Sequence, residues 1–508
     1  MYAQDPSAPS GASGSEREQR YNGAASIAET LILNLTRTLL IAVCLIGSGW
    51  YALRPGVVSD GDAMRIAVDQ AGSYRYRLDF KERVVGSYTS RTGLASERLT
   101  FESRLEVVLP GTDLQTVTEQ MEFATAPPYA LLRARRSARS GSSTLSVDIQ
   151  RVGDGYQATI QDNGSRHTRV LDWHYTLADH LAVERWLIAE RPAIGSVHAA
   201  RQLDFNRMAP IDASWRLLET DPDGSVLLGL VAAGEDKVFH LDAKLVPKAA
   251  SIAGVFTMTR VLDDTEPIIP GPLAHSAAAK VALAAAIANP GALTALQLRV
   301  NDSSAIVLEN SGTINGAAGE RTLHLEHRQP ALATPEELAR ASGSRADLPS
   351  DHPRIRALAR RALGDAGSPA LQIANLTRFV HRHLDYRVDV NVVGVLDALE
   401  QRVGDCTEFA DLLTTLARAV GLPARTVTGL AYAEAEGPGF YLHAWTEIAI
   451  DGTWHPVDPT FGQIRIGPAH IRFPDSDSAY LLAYAAIPEM RFSVAGATYG
   501  DGPSDATP

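Results

Sequence analysis

Three features of the sequence predict an α+β chain in three parts. An uncharged apolar run lies near the N-terminus, a long region alternates apolar and polar residues with a period of two, and a C-terminal region sets helical periodicity before strands. The prediction is an N-terminal membrane-anchor helix, a mostly antiparallel β domain and a C-terminal α+β domain. At 508 residues the chain exceeds the roughly 250–300 residues that a single core usually serves, so more than one core is expected.

Residues 1–30 are rich in Ser, Gly, Ala and Pro and are read as a disordered tail, because they hold too little apolar surface to offset the entropy of ordering. Residues 31–53 are apolar, and no charge falls between Thr38 and Leu53. The 23 residues from Leu31 to Leu53 (53 − 31 + 1) suffice to span a bilayer if Arg37 snorkels. An uncleaved signal anchor is preferred over a cleaved signal peptide, for which no clear A-x-A site follows, and over a buried core helix. Arg17, Arg20 and Arg37 precede the segment and Arg54 and Arg65 follow it, a slight bias that keeps the N-terminus inside. The main domains are therefore expected outside the cytoplasm, periplasmic or extracellular.

Residues 60–270 read as the β-rich domain. Tyr74, Tyr76, Leu78 and Phe80 alternate with Arg75, Arg77 and Asp79, and Leu99, Phe101, Leu105 and Val107 share a parity. Further strands are expected at 116–123, 144–152, 156–161, 226–231 and 238–245, divided by turn signals such as Asp221-Pro222-Asp223-Gly224. A helix is expected over 177–189. Asp172, His174 and His180 lie close in sequence, but scattered acids and histidines are usually surface groups, and no metal site is assigned to them. Residues 271–290, Ala-rich with Lys280 inside and Pro290 at the end, read as a helical linker rather than a second span.

Residues 291–500 form the C-terminal domain, and 501–508 a second disordered tail. Helices are expected at 353–363 and 368–384, where Leu371, Ile373, Leu376, Phe379 and Val380 keep helical spacing. A helix beginning near Cys406 carries Phe409, Leu412, Leu413, Leu416 and Val420 on one face and ends at Gly421 and Pro423. A cysteine at a helix N-terminus meets unpaired N–H groups and the positive dipole end, which favour the thiolate and can stabilise an oxyanion. Strands at 440–450 and 453–458, joined through Asp451-Gly452, carry His443 and Asp458. His443 lies 37 positions after Cys406 (443 − 406), and Asp458 lies 15 beyond that (458 − 443). Taken singly, each of these residues is ordinary. Together they supply a nucleophile, a base and a group to orient it, with Cys406, His443 and Asp458 as the catalytic candidates.

Composition narrows the classes further. A formal net charge of −12 and the lack of a basic stripe exclude nucleic acid as the main partner. With only Cys44 and Cys406 there is no disulfide framework, and no zinc-ligand or calcium-loop spacing is present, so neither a cofactor nor a metal is expected.

The segment Gly404-Asp405-Cys406-Thr407-Glu408-Phe409-Ala410, the run Leu416 to Arg425, His443-Ala444-Trp445 and Trp454 to Pro459 together resemble the transglutaminase-like superfamily. The resemblance covers roughly residues 290–475. It implies a papain-like α+β fold in which Cys406 is the nucleophile, His443 the general base and acid, and Asp458 its orienting partner. It also implies chemistry on amide bonds of peptides or proteins through a Cys thioester. Hydrolysis is slightly favoured over transamidation, and a non-catalytic scaffold that binds polypeptides is the alternative. The family's side-chain oxyanion donor has no firm counterpart; Tyr386 and Asn391 are nearest in sequence.

Overall fold

A computed structural model describes residues 60–500, apart from 96, 109–113, 232–236, 263–267, 269–279, 303, 305–307, 309–310, 328–330, 388–391, 393, 436 and 475–476. The expected tails and the expected membrane anchor at 31–53 lie outside the described residues. Among the described residues no helix is long and apolar enough to cross a membrane.

The alternating region folds into a 14-stranded sheet in which all adjacent strands are antiparallel, with Ser165–Leu171 and Val197–Asp204 at its two edges. Eight strands run from Gly72–Phe80 to Ser165–Leu171, and six more from Val197–Asp204 to Phe256–Val261. The two series join where the first strand of the chain pairs with the last of the sheet, Phe80 opposite Phe256 and Arg75 opposite Val261. Alternation decides which face is buried: Leu145, Val147 and Ile149 are buried while Asp148 and Gln150 are not. Trp215, Tyr76, Tyr88, Phe123, Phe239 and Phe256 are fully buried on the core side. The helix expected over 177–189 is two, Leu177–His180 and Ala182–Glu190, broken at Leu181. They share a core with Ala63, Ile66 and Ala67 of the helix Asp60–Asp69.

The expected helical linker is corrected in its described part. Lys280–Ala282 is a strand paired with Gly439–Tyr441, so the segment extends the C-terminal sheet instead of spacing the domains. That sheet has the order Lys280–Ala282, Gly439–Ile450, Ala424–Ala433, His470–Arg472, with Thr453–Val457 also beside Gly439–Ile450. This half also holds a four-stranded sheet of Thr313–Asn315, Arg321–Glu326, Leu293–Val300 and Phe492–Tyr499, and a two-stranded parallel pair, Asp385–Tyr386 with Val403–Gly404, just before the cysteine helix. Helices Pro353–Leu363, Pro369–His383 and Val395–Gln401 bury Ile355, Leu376, Val380 and Leu396 against Phe409, Leu412, Leu413 and Leu416 of the helix Cys406–Ala419. Each such side chain contributes about 1.5–3 kcal/mol on burial, which anchors the cysteine helix.

The two halves touch directly. One core cluster runs from Tyr76, Phe80 and Trp215 through Val281 to Cys406, Leu442 and Tyr484. Polar links lie alongside it: Ser143 donates to Asp397 at 2.8 Å, Leu396 N–H to Asp162 at 3.2 Å and Ala346 N–H to the Asn206 carbonyl at 2.7 Å.

Candidate active site

Cys406 is the first residue of its helix, a free cysteine only 1% exposed. Asp405 is the N-cap and accepts from Thr407 N–H at 2.7 Å, while Glu408 folds back to accept from Asp405 N–H at 2.9 Å, a capping box that fixes where the helix starts. Gly404 leaves room for that fold-back, since a Cβ there would lie 2.4 Å from Glu408 Cβ. The cap alters the expected electrostatics of the thiol. Burial pushes the Cys406 thiol well up, and the Asp405 and Glu408 carboxylates push the same way, against one hydrogen bond from Ala444 N–H. Burial and the capping carboxylates thus oppose the helix-dipole argument for a thiolate and favour the thiol.

His443, the base the sequence suggests, lies on the strand Gly439–Ile450. Thr446 Oγ1 donates to the Ala410 carbonyl at 3.0 Å, which ties this strand to the cysteine helix, and Ala444 N–H reaches the sulfur. His443, next to Ala444, is buried and its Nε2 lies 2.8 Å from Asp458 Oδ2. The hairpin that carries Asp458 turns at Asp451 and Gly452, both with positive φ (49° and 73°), as a two-residue turn of this kind requires. Its register, Thr446 opposite Val457, puts Asp458 just beyond the ladder. There Asp458 Oδ1 accepts from Thr460 N–H at 2.8 Å and Phe461 N–H at 3.0 Å, and the Phe461 ring stacks on His443 with centroids 4.7 Å apart. Asp458 is fully buried. Burial alone would raise its carboxyl, but the His443 and His470 imidazoles hold it well below the ordinary carboxylate range. An ionised acceptor at Nε2 calls for a proton there, so in the neutral ring the lone pair lies on His443 Nδ1.

His470 was missed by sequence reasoning. Its Nε2 lies 2.9 Å from the same Asp458 Oδ2, and it comes from the short strand His470–Arg472. The signal was slight: one histidine in a three-residue strand, 12 positions after Asp458, that earns meaning only from pairing (470 − 458). Of the oxyanion candidates, Asn391 lies outside the described residues, and Tyr386 packs on Phe409 with ring centroids 6.2 Å apart.

His443, Asp458 and His470 present ligand atoms within 4.8 Å of one another. Their 2.8 and 2.9 Å contacts are hydrogen-bond lengths, whereas zinc at about 2.0–2.1 Å from each donor would hold the donors about 3.3 Å apart, so the arrangement suits shared protons better than a metal. The earlier His180 is buried between Phe101 and Phe123, with its imidazole pushed down to about 4 by burial, while Asp172 and His174 are exposed. These three form no ligand set.

Residues 356–459 match the family model of the transglutaminase-like superfamily. A curated relative, the protein-glutamine gamma-glutamyltransferase of Pseudomonas aeruginosa, is 32% identical over 29% of this chain and 26% of its own length. The chain thus spans about a quarter of that relative. A solved structure of a proposed cysteine protease from Cytophaga hutchinsonii is 18% identical, with 44% of this chain and 86% of that chain covered and a TM-score of 0.26. A solved structure described as a TGase is 17% identical over 32% of this chain and 48% of its own, with a TM-score of 0.18. The C-terminal part of the chain is transglutaminase-like.

Proposed function

We propose that the chain is a transglutaminase-like cysteine enzyme that attacks amide carbonyls of peptides or proteins through Cys406. The observation that carries this reading is a buried thiol at a helix start, met by Ala444 N–H of the strand that carries His443, and a buried carboxylate 2.8 Å from the His443 imidazole. His443 Nδ1 takes the Cys406 proton as the sulfur bonds to the carbonyl carbon. The resulting oxyanion is stabilised by the backbone N–H of Cys406 itself, since the capping carboxylates take those of Asp405 and Thr407. The C–N bond then breaks, His443 gives its proton to the departing amine, and a thioester is left on Cys406. Water or an amine attacks the thioester with His443 again as base, the C–S bond breaks and the thiol is re-formed.

Water is the favoured acceptor in this reading. The amine is the second reading, and its support is the curated relative, whose name describes a γ-glutamyl transfer. A scaffold that only binds polypeptide has no need of the three residues together. We further propose anchoring by residues 31–53 with the remainder outside the cytoplasm, on the apolar and uncharged run alone.

An electrophilic amide mimic tests the chemistry. Cys406 is expected to label, and Cys406→Ala not to; His443→Ala is expected to slow labelling by 10²–10⁴-fold, the usual share of a general base. Equal rates in wild type and His443→Ala would sink the reading.

A further inference from the structure

We propose that His470 is a positioning residue for the acyl-transfer site, acting through Asp458 to set the basicity of His443. The proposal rests on the reading of Cys406, His443 and Asp458 given above. It begins with pairing. The strand Ala424–Ala433 lies between the strands of the two histidines, with His443 opposite Gly429 and His470 opposite Ala431. Positions 429 and 431 share a face, so both imidazoles stand on that face and flank the two small residues between them. Gly429 admits no side chain, because a Cβ there would meet Trp445 Cη2 at 2.6 Å and the Ile471 carbonyl at 2.1 Å. Small residues on the central strand allow the flanking imidazoles to converge on one oxygen.

That oxygen is Asp458 Oδ2, at 2.8 Å from His443 Nε2 and 2.9 Å from His470 Nε2. Two backbone N–H groups hold Oδ1, so the carboxylate has four donors and one orientation. Both imidazoles compete for the same negative charge. Removing the His470 donor leaves more of it on His443, which stabilises the imidazolium and makes Nδ1 a base only at higher pH. His470 Nδ1 is buried without a partner, and the Trp445 ring meets the imidazole edge-on at 5.3 Å. The ring is thereby placed to serve Asp458 alone. Other groups that titrate or carry charge nearby are Cys406, Asp405 and Glu408 at the helix start, His381 on the Pro459 and Thr460 carbonyls, and Arg472, which Glu447 holds at 2.9 Å.

The test is the pH profile of Cys406 alkylation by iodoacetamide, which needs no substrate, together with turnover of an activated acyl ester. His470→Phe keeps a ring and removes the donor. It is expected to lower kcat 10–100-fold with KM within about twofold, the range for a hydrogen bond to a charged group, and to move the acid limb of both profiles to higher pH. His470→Gln, whose amide nitrogen can stand where Nε2 stood, is expected to restore both. If the Phe variant does not fold, His470→Asn, with an amide too short to reach Oδ2, carries the same expectation. A wild-type profile in His470→Phe or His470→Asn overturns the proposal, as does a loss of kcat with an unmoved profile that Gln does not rescue. Failure of the enzymatic reading looks different: wild-type protein gives no turnover, or His443→Ala leaves the alkylation profile unchanged.

Discussion

Asp162→Asn probes the seam between the 14-stranded sheet and the transglutaminase-like half. Asp162, on the strand Gly155–Asp162, is only 2% exposed and faces Asp397 across the seam. Burial, and then the Asp397 charge, push its carboxyl up to about 7 from an ordinary 3.8. Between those values the folded protein holds a proton that the unfolded chain has lost. Stability from this group is thus present below about pH 4 and is lost as pH rises through about 7. At about 1.4 kcal/mol per pH unit, the span from 3.8 to about 7 bounds the loss at about 4 kcal/mol. An Asn is neutral throughout. Its oxygen can still accept from Leu396 N–H, and its amide nitrogen can donate towards Asp397, whose own oxygens take Ser143 and Gln401 at 2.8 Å each. The variant should match wild type near pH 4 and exceed it by about 2–4 kcal/mol at pH 8, a rise in Tm of a few degrees for a chain of this size. Asp411, also pushed up to about 7, stays in both proteins and gives the residual slope. Thermal unfolding of both proteins from pH 4 to 8 is the assay. Parallel Tm curves, or a variant less stable at pH 8, would refute the account of the seam.

Two further substitutions address the cysteine cap. Gly404→Ala brings a Cβ to 2.4 Å from Glu408 Cβ and should break the capping box, at a cost of about 1–3 kcal/mol and with slower Cys406 labelling; an unchanged Tm and rate would show that the cap does not position the thiol. Glu408→Gln keeps an acceptor for Asp405 N–H but removes a negative charge that raises the thiol, so alkylation should become faster at a given pH below the thiol's titration. A profile that stays put, or moves to higher pH, would contradict the assignment of charge.

Much of this arrangement was legible because it depends on local pattern. Alternation at Leu145, Val147 and Ile149, and helical spacing at Phe409, Leu412, Leu413 and Leu416, are direct records of which side each residue buries. The Asp451-Gly452 turn is equally local. What pairing decides was harder to read. Lys280–Ala282 sits in an Ala-rich run with good helix propensity, yet a sheet edge at Gly439–Tyr441 recruits it as a strand. His470 is one histidine in a short strand until the register sets it two strands from His443, over the same carboxylate. The upward push on the Cys406 thiol comes first from burial and then from the Asp405 and Glu408 carboxylates, which a helix-dipole argument taken alone does not include.

The central claim is that Cys406 carries the acyl group, and intact-protein mass spectrometry after acid quench tests it most directly. With a p-nitrophenyl acyl ester as donor, the wild-type chain should gain one acyl mass, mapped by peptide digestion to Cys406, and should lose it to water or to an added primary amine. Cys406→Ala should gain none and His443→Ala should gain it at least 100-fold more slowly. An acyl group on another residue, or equal acylation of the Cys406→Ala chain, would contradict the account.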